Sequence, residues 1–118
     1  VTLVDTSVWI EHFRAGNPEL ADLLMEGSVL MHPLIVGELA CRNLPDRVRT
    51  LQLLDQLPAC PVASTVETRF MVEELSLFGS GLGWVDMNLV ASVRLRPAGR
   101  LWTLDRRLAE TWAQIDDR

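Results

Sequence analysis

Lysine is absent from this chain of 118 residues, so every one of its basic side chains is an arginine. That removes any activity resting on a lysine amine. Cysteine is nearly as scarce: Cys41 and Cys60 stand alone, in neither a Cys-x-x-Cys nor a Cys/His zinc spacing. A disulfide framework and a structural zinc site are both excluded, which leaves two thiols suited to filling a core in a reducing compartment. The two histidines, His12 and His32, have no spacing that suggests a pair, and His32 before Pro33 is read as a helix-start residue. No apolar run approaches the ~18 residues of a membrane span, and no basic-then-apolar leader opens the chain. The expectation is a soluble, cytoplasmic protein with no membrane partner.

What is present is ordinary for a globular protein, with 48% hydrophobic and 23% charged residues. A chain of this length forms a single domain, residues 1–118, and buries roughly two thirds of its unfolded surface without staples. Its net charge of -5 argues against nonspecific coating of nucleic acid. The charge is uneven, however. Between Ala91 and Glu110 five arginines (Arg94, Arg96, Arg100, Arg106, Arg107) face only two acids, Asp105 and Glu110. A solvated helix face and a nucleic-acid contact both fit that cluster.

Periodicity orders the chain. The stretch Val1-Thr2-Leu3-Val4-Asp5 reads as a strand tipped by a carboxylate, and Val8, Trp9 and Phe13 begin a helix behind it. Gly16-Asn17-Pro18 breaks that helix and caps a second one over residues 18–26. Residues 28–31 are of strand type, and residues 33–42 are helical. Pro45 and Asp46 open a helix carrying Val48, Leu51, Leu54 and Leu57. Pro58 and Pro61 limit any strand there to a short edge piece over residues 61–63. Residues 65–78 form a helix that includes Val66, Phe70, Leu75 and Leu77. The glycine-rich loop 79–83 leads into a helix over 84–95, and a strand over 100–104 is followed by a final helix through Leu108, Trp112 and Ile115. Strands alternating with helices predict an α/β fold, a three-layer α/β/α sandwich around a parallel sheet of four or five strands.

In such a sheet the ligand edge lies at the strand C-termini. Asp5 and Asp105 each follow a strand, so both belong to that edge. Glu38 lies in the second turn of the helix after the second strand, and Asp86 in the first turn of the helix behind the glycine loop. Each acid also has a plain reading: Asp5 and Asp105 as helix caps, Glu38 paired with Arg42, Asp86 as a surface residue favoured by the helix dipole. Their convergence is harder to explain singly. Several carboxylates at one place must take up protons or hold a cation, and an all-oxygen set suits Mg²⁺ or Mn²⁺. Such ions promote hydrolysis of phosphodiesters. Ser7 and Thr103, two residues after Asp5 and two before Asp105, place hydroxyls beside these carboxylates, although ordinary strand-edge hydrogen bonding explains them equally.

Four segments carry a resemblance: Val4-Asp5-Thr6-Ser7-Val8-Trp9-Ile10, Gly37-Glu38-Leu39, residues 81–91 around Val85-Asp86-Met87-Asn88, and residues 101–108 around Thr103-Leu104-Asp105. Together they resemble the four acidic motifs of PIN-domain ribonucleases, in particular the VapC-type toxins of toxin-antitoxin pairs. The resemblance implies a PIN-like fold, Mg²⁺-dependent RNA hydrolysis, dimerisation and a cognate antitoxin that blocks the pocket. It also implies that Asp5, Glu38, Asp86 and Asp105 form the catalytic metal pocket, with Asp5 and Asp86 foremost as ligands and Thr103 at the family's hydroxyl position. Ser7 is read from its place beside Asp5 as a second supporting hydroxyl, and Arg106 and Arg107, from the basic cluster, are expected to hold the RNA backbone. Met87-Asn88 departs from the small or apolar residues usual after the third acid and bears on local helix packing. Three competitors remain. A dehalogenase-type phosphatase opens on Asp-x-Asp, where this chain has Ser7; a Mg²⁺-binding receiver module needs a lysine; a non-catalytic PIN-like scaffold has to account for four retained acids.

Overall fold

The computed structural model describes residues 1–116. A strand at the head of the chain forms the centre of the sheet. In β1, Thr2–Val4, Leu3 and Val4 are wholly buried. Parallel neighbours flank it on both sides: β2, Val29–Leu30, pairs Leu3 with Leu30, and β3, Arg100–Trp102, pairs Leu3 with Leu101 and Val4 with Trp102. The order is β2-β1-β3. Strands buried on both faces read as short apolar runs, as Leu3-Val4 and Val29-Leu30 do, whereas β3 starts on the exposed Arg100.

The sheet therefore has three strands among the described residues, fewer than the four or five expected from the sequence. The edge piece expected over residues 61–63 is not a strand. Instead Met31 and Ala59 form a single parallel bridge, in which Met31 N donates to Pro58 O and Cys60 N donates to Met31 O, each at 2.8 Å. In this register the next bonds would need the N–H of residue 58 on one side and of residue 33 on the other, and both are prolines.

Helices flank the sheet. The first, α1 (Thr6–Ala15), ends at Gly16, whose φ of 78° is the left-handed turn that glycine permits. Asn17 then caps α2 (Pro18–Met25) by accepting from Leu20 N at 2.9 Å. Next come α3 (Pro33–Ala40) and α4 (Arg47–Asp55), the latter starting two residues later than Pro45 because Asp46 is left-handed, with φ 43°. A reciprocal capping box between Ser64 and Glu67 starts α5 (Thr65–Glu74). That helix stops short of the expected residue 78, with Ser76 left-handed at φ 53°. Thr68 and Met71 form its buried face, while Val66 and Phe70 are exposed. The last two helices are α6 (Trp84–Arg94) and α7 (Arg106–Asp116). None of the described helices is long and apolar enough to cross a membrane.

Seven consecutive residues of α6, Met87 to Val93, are buried, so this helix is enclosed on all sides. Its two polar members must then be satisfied internally. Asn88 accepts from Thr68 Oγ1 on α5 at 3.2 Å and donates to Trp84 O at 2.8 Å, so the departure from apolar residues at this position is accommodated by a buried polar link. Ser92 Oγ accepts from Ala63 N at 3.0 Å and lies 3.0 Å from His32 Nε2.

His32 is the helix-start residue anticipated from the sequence. Its Nδ1 accepts from Leu34 N at 3.0 Å, capping α3, so the proton sits on Nε2 and is donated to Ser92. Only the neutral ring can do both. Burial holds its pKa below the ordinary 6.5. The unfolded chain takes up a proton near 6.5 while the folded one resists, so this stability is fully present above 6.5 and is lost as pH falls below it. The loss is at most about 1.4 kcal/mol per pH unit. Urea midpoints measured from pH 7.5 to 5.5 should fall more steeply for the native chain than for His32→Asn, which keeps a capping acceptor and does not titrate. Parallel profiles would remove His32 as the cause.

Candidate functional site

The site forms where β1 and β3 end. Asp5 leaves β1 with its N–H bonded to Trp102 O at 2.9 Å, and it precedes α1 without capping it through its side chain. The carboxylate is buried, at 8% exposure, and is occupied elsewhere. Thr103 Oγ1 donates to Asp5 Oδ2 at 2.7 Å, and Ser7 Oγ donates to the same oxygen at 2.9 Å. Each hydroxyl also accepts a backbone N–H, Thr103 from Asp105 at 3.0 Å and Ser7 from Leu104 at 2.9 Å. With both protons directed to Asp5, the 3.3 Å approach of Ser7 to Thr103 is a contact rather than a third bond. Both hydroxyls thereby hold one oxygen of Asp5.

A cleft of about 360 Å³ opens beside Asp5 and is lined by Asp5, Glu38, Asp86 and Asp105 together with Thr6, Ser7 and residues 83–85. All four acids singled out in the sequence meet there. Glu38, exposed on α3, accepts from Thr6 Oγ1 at 2.7 Å, and among the described residues it forms no ion pair with Arg42. Asp105 does act as a cap, accepting from Leu108 N at 2.9 Å through Oδ1. Asp86, half-buried in the first turn of α6, accepts no hydrogen bond among the described residues. Thr6 and Trp84 were not singled out in the sequence as parts of the site. Thr6 directly follows Asp5 and Trp84 opens the helix of Asp86, so adjacency was the available signal.

The electrostatics follow from this lining. Burial raises the pKa of Asp86, and the charges of Asp5, Asp105 and Glu38 raise it further, in that order. Among the described residues no arginine lines the cleft. The N-termini of α1, α6 and α7 all reach the cleft, and their dipoles offset part of the repulsion. Each acid retains an oxygen with no donor among the described residues: Asp5 Oδ1, Glu38 Oε2, Asp105 Oδ2 and both oxygens of Asp86. That donor set fits a hard cation. Among the described residues no three His, Cys, Asp or Glu side chains already converge into a metal cage. Mg²⁺ does not require one, because it commonly takes one or two carboxylates and keeps several waters.

Arg106 and Arg107, both at the start of α7, differ in their surroundings. Arg106 forms an exposed pair with Glu110 at 3.1 Å, the only ion pair among the described residues. Arg107 lies over Gly81, where an added Cβ would meet its guanidinium and Cδ at less than 3 Å.

A carboxyl whose pKa is raised on folding binds a proton in the fold that it has lost in the unfolded chain. Stability then falls as pH rises through that window and stays lower above it. Asp86→Asn should therefore raise the thermal midpoint at pH 7.5 in buffer free of divalent cations. The gain should shrink as pH drops through the raised pKa of Asp86 toward ~4, the ordinary carboxylate value, and be gone below it. A lowered midpoint at pH 7.5 would contradict the repulsion described above.

No family model matches the chain. The chain is nevertheless 45% identical, over 112 residues, to ribonuclease VapC32 of Mycobacterium tuberculosis, in both the CDC 1551 and the H37Rv strains. The match covers 95% of this chain and 90% of the relative. Identity of that level over nearly the whole of both chains, on an α/β fold with four acids at one sheet edge, places this chain in the family of VapC-type PIN-domain ribonucleases.

Proposed function

We propose that this protein is a metal-dependent endoribonuclease, the toxin of a toxin-antitoxin pair, folded as a single PIN domain in three α/β/α layers. The observation carrying this reading is the cleft at the strand ends. Four carboxylates line it, no cationic side chain among the described residues does, and three of the acids raise the pKa of the fourth. Such a site gains most from a divalent cation. In this reading Asp5 and Asp86 are the foremost ligands for Mg²⁺ or Mn²⁺, with Glu38 and Asp105 completing the pocket. Bound there, the ion would supply charge neutralisation and Lewis acidity at a phosphodiester.

The chain's own residues do the rest. Ser7 and Thr103 fix Asp5 through Oδ2, so Oδ1 is the oxygen offered to the ion. Thr6 holds Glu38 at the rim. Arg107, over the glycine loop, and Arg106 hold the RNA backbone. The exposed Arg106 pair with Glu110 is worth little and is readily exchanged for a phosphate. Membership of the toxin family supports a cytoplasmic protein with RNA as substrate, a cognate antitoxin, and a homodimer or toxin-antitoxin hetero-oligomer as its assembly.

Cleavage of a single-stranded RNA by the purified chain should stop in EDTA and return with excess Mg²⁺ or Mn²⁺. Cleavage that continues in EDTA removes the metal reading. Asp5→Asn and Asp86→Asn should each lower the rate by about a hundredfold or more with an unchanged circular dichroism spectrum, and Thr103→Val should weaken Mn²⁺ binding ~10–100-fold. Replacing Arg106 and Arg107 with alanine should reduce the slope of log K against log salt by about 0.7 for each phosphate the arginines neutralise. An unchanged slope would return both arginines to a solvated face.

A further inference from the structure

Trp84 belongs to two cavities. One wall of the acidic cleft is Trp84, and so is one wall of a neighbouring cavity of about 280 Å³ that also includes Phe78, Leu82 and Arg69. Both aromatic rings are costly to leave in water, yet Phe78 is 63% and Trp84 48% exposed. Among the described residues the rings in mutual contact are Trp9, His12 and Phe13 on α1, so Trp84 and Phe78 stack neither on each other nor on a third ring. The space between them is unfilled by protein. Neither ring is part of the buried core.

The glycine loop joins the two cavities. Gly79 lines the aromatic one and Gly83 the acidic one, with Gly81 between them under the Arg107 guanidinium. Gly81 has a φ of 88°, and any side chain there would displace Arg107. A cation is thereby held over the loop that separates the carboxylates from the aromatic rings. Within the aromatic cavity Arg69 supplies a second cation, and among the described residues it forms no ion pair with Glu73 one turn away.

We propose that the cavity between Trp84 and Phe78 is a nucleobase subsite, which takes one unpaired base of a single-stranded RNA whose neighbouring phosphate lies in the acidic cleft. The inference rests on the ribonuclease reading and adds to it where the substrate's base goes. Unpaired RNA bases are recognised by stacking on aromatic faces, and every base has such a face. The cavity is at the small end of ligand-sized clefts, so it suits a single base and excludes a duplex. Arg107 and Arg69 flank it as partners for the phosphates on either side. Continuity through Trp84 and the glycine loop sets the base next to the carboxylates rather than at a remote surface.

The test uses two oligonucleotide probes, oligoadenylate and an abasic ribose-phosphate strand of the same length, titrated with Ca²⁺ in place of Mg²⁺ so that the cleft carries a hard cation while cleavage is held back. Binding is followed by fluorescence anisotropy of a labelled probe. The native chain should bind oligoadenylate about tenfold or more tightly than the abasic strand. Trp84→Ala should remove most of that preference by weakening oligoadenylate far more than the abasic strand, whereas Trp84→Phe, which keeps an aromatic face, should restore it. Phe78→Ala, at the more exposed position, should lower the preference without disturbing the fold, and thermal melts confirm folding of each variant. In Mg²⁺, the same alanine variants should raise KM for a single-stranded RNA more than they lower kcat. Equal binding of the two probes by the native chain, or Trp84→Ala weakening both equally, overturns the subsite. RNA affinity unchanged in Trp84→Ala alongside weaker binding of a protein partner also overturns it, and assigns the cavity to that partner. Metal-dependent cleavage with no base preference sinks this inference alone; absence of both RNA binding and cleavage sinks the ribonuclease reading with it.

Discussion

Asp5, Asp105 and Glu38 each act on Asp86 strongly enough to raise its pKa, so a cleft that gathers these four carboxylates must be held together by something other than its own electrostatics. The fold supplies this in three ways. Hydroxyls from Ser7 and Thr103 hold one oxygen of Asp5, and Thr6 holds one of Glu38. The first turns of α1, α6 and α7 bring the positive ends of their dipoles to the same edge. The core provides the third. Met87 to Val93 of α6 are buried, so Asp86 directly precedes a segment that cannot move without opening the interior.

The polar contacts inside that core serve the same end. His32 ties the start of α3, which carries Glu38, to Ser92 on α6, which carries Asp86. Thr68 and Asn88 tie α5 to the first turns of α6. Each link is buried and satisfied, and each joins helices that bear acids or brace one that does. Apolar packing is non-directional, whereas a buried hydrogen bond fixes which turn faces which. The spacing between the acids thus depends on a few polar residues as well as on the apolar interior.

Much of this was legible in the sequence because local rules and the global fold agree. Strand followed by aspartate recurs at Asp5 and Asp105, and parallel pairing puts both at one edge; the structure bears this out through the registers Leu3 with Leu101 and Val4 with Trp102. Asn17 and Gly16 stand where their backbone preferences put them, whereas the 97–99 turn forms with its left-handed residue at Ala98 and not at Gly99. The misreadings have long-range or competing causes. A fourth strand was expected from an extended stretch, but in the register that forms, sheet membership depends on N–H groups that Pro58 and Pro33 do not have, and only Ala59 pairs. Asp46 and Ser76 adopt left-handed backbone that no residue type at those positions announces, which shifted the ends of α4 and α5. Taken alone in sequence, Asp5 reads first as a helix cap. In the structure its side chain caps nothing and accepts from Thr103, 98 residues away and beside it only once the sheet is formed.

A protein of net charge -5 has no long-range attraction for a polyanion. Its acidic cleft repels phosphate, and a divalent ion held there would offset part of that charge. In the proposed reading the substrate must therefore be held by short-range terms: stacking, worth ~1–3 kcal/mol per base, and a few guanidinium contacts near the start of α7. Exposed aromatic rings beside the carboxylates meet that need in a way that further basic residues would not. A strongly basic rim would attract any nucleic acid, duplex included, through backbone charge alone. An acidic protein that relies on an inserted base is selective for RNA whose bases are already unpaired, because only such a strand delivers a stacking face and a phosphate to adjoining cavities at once.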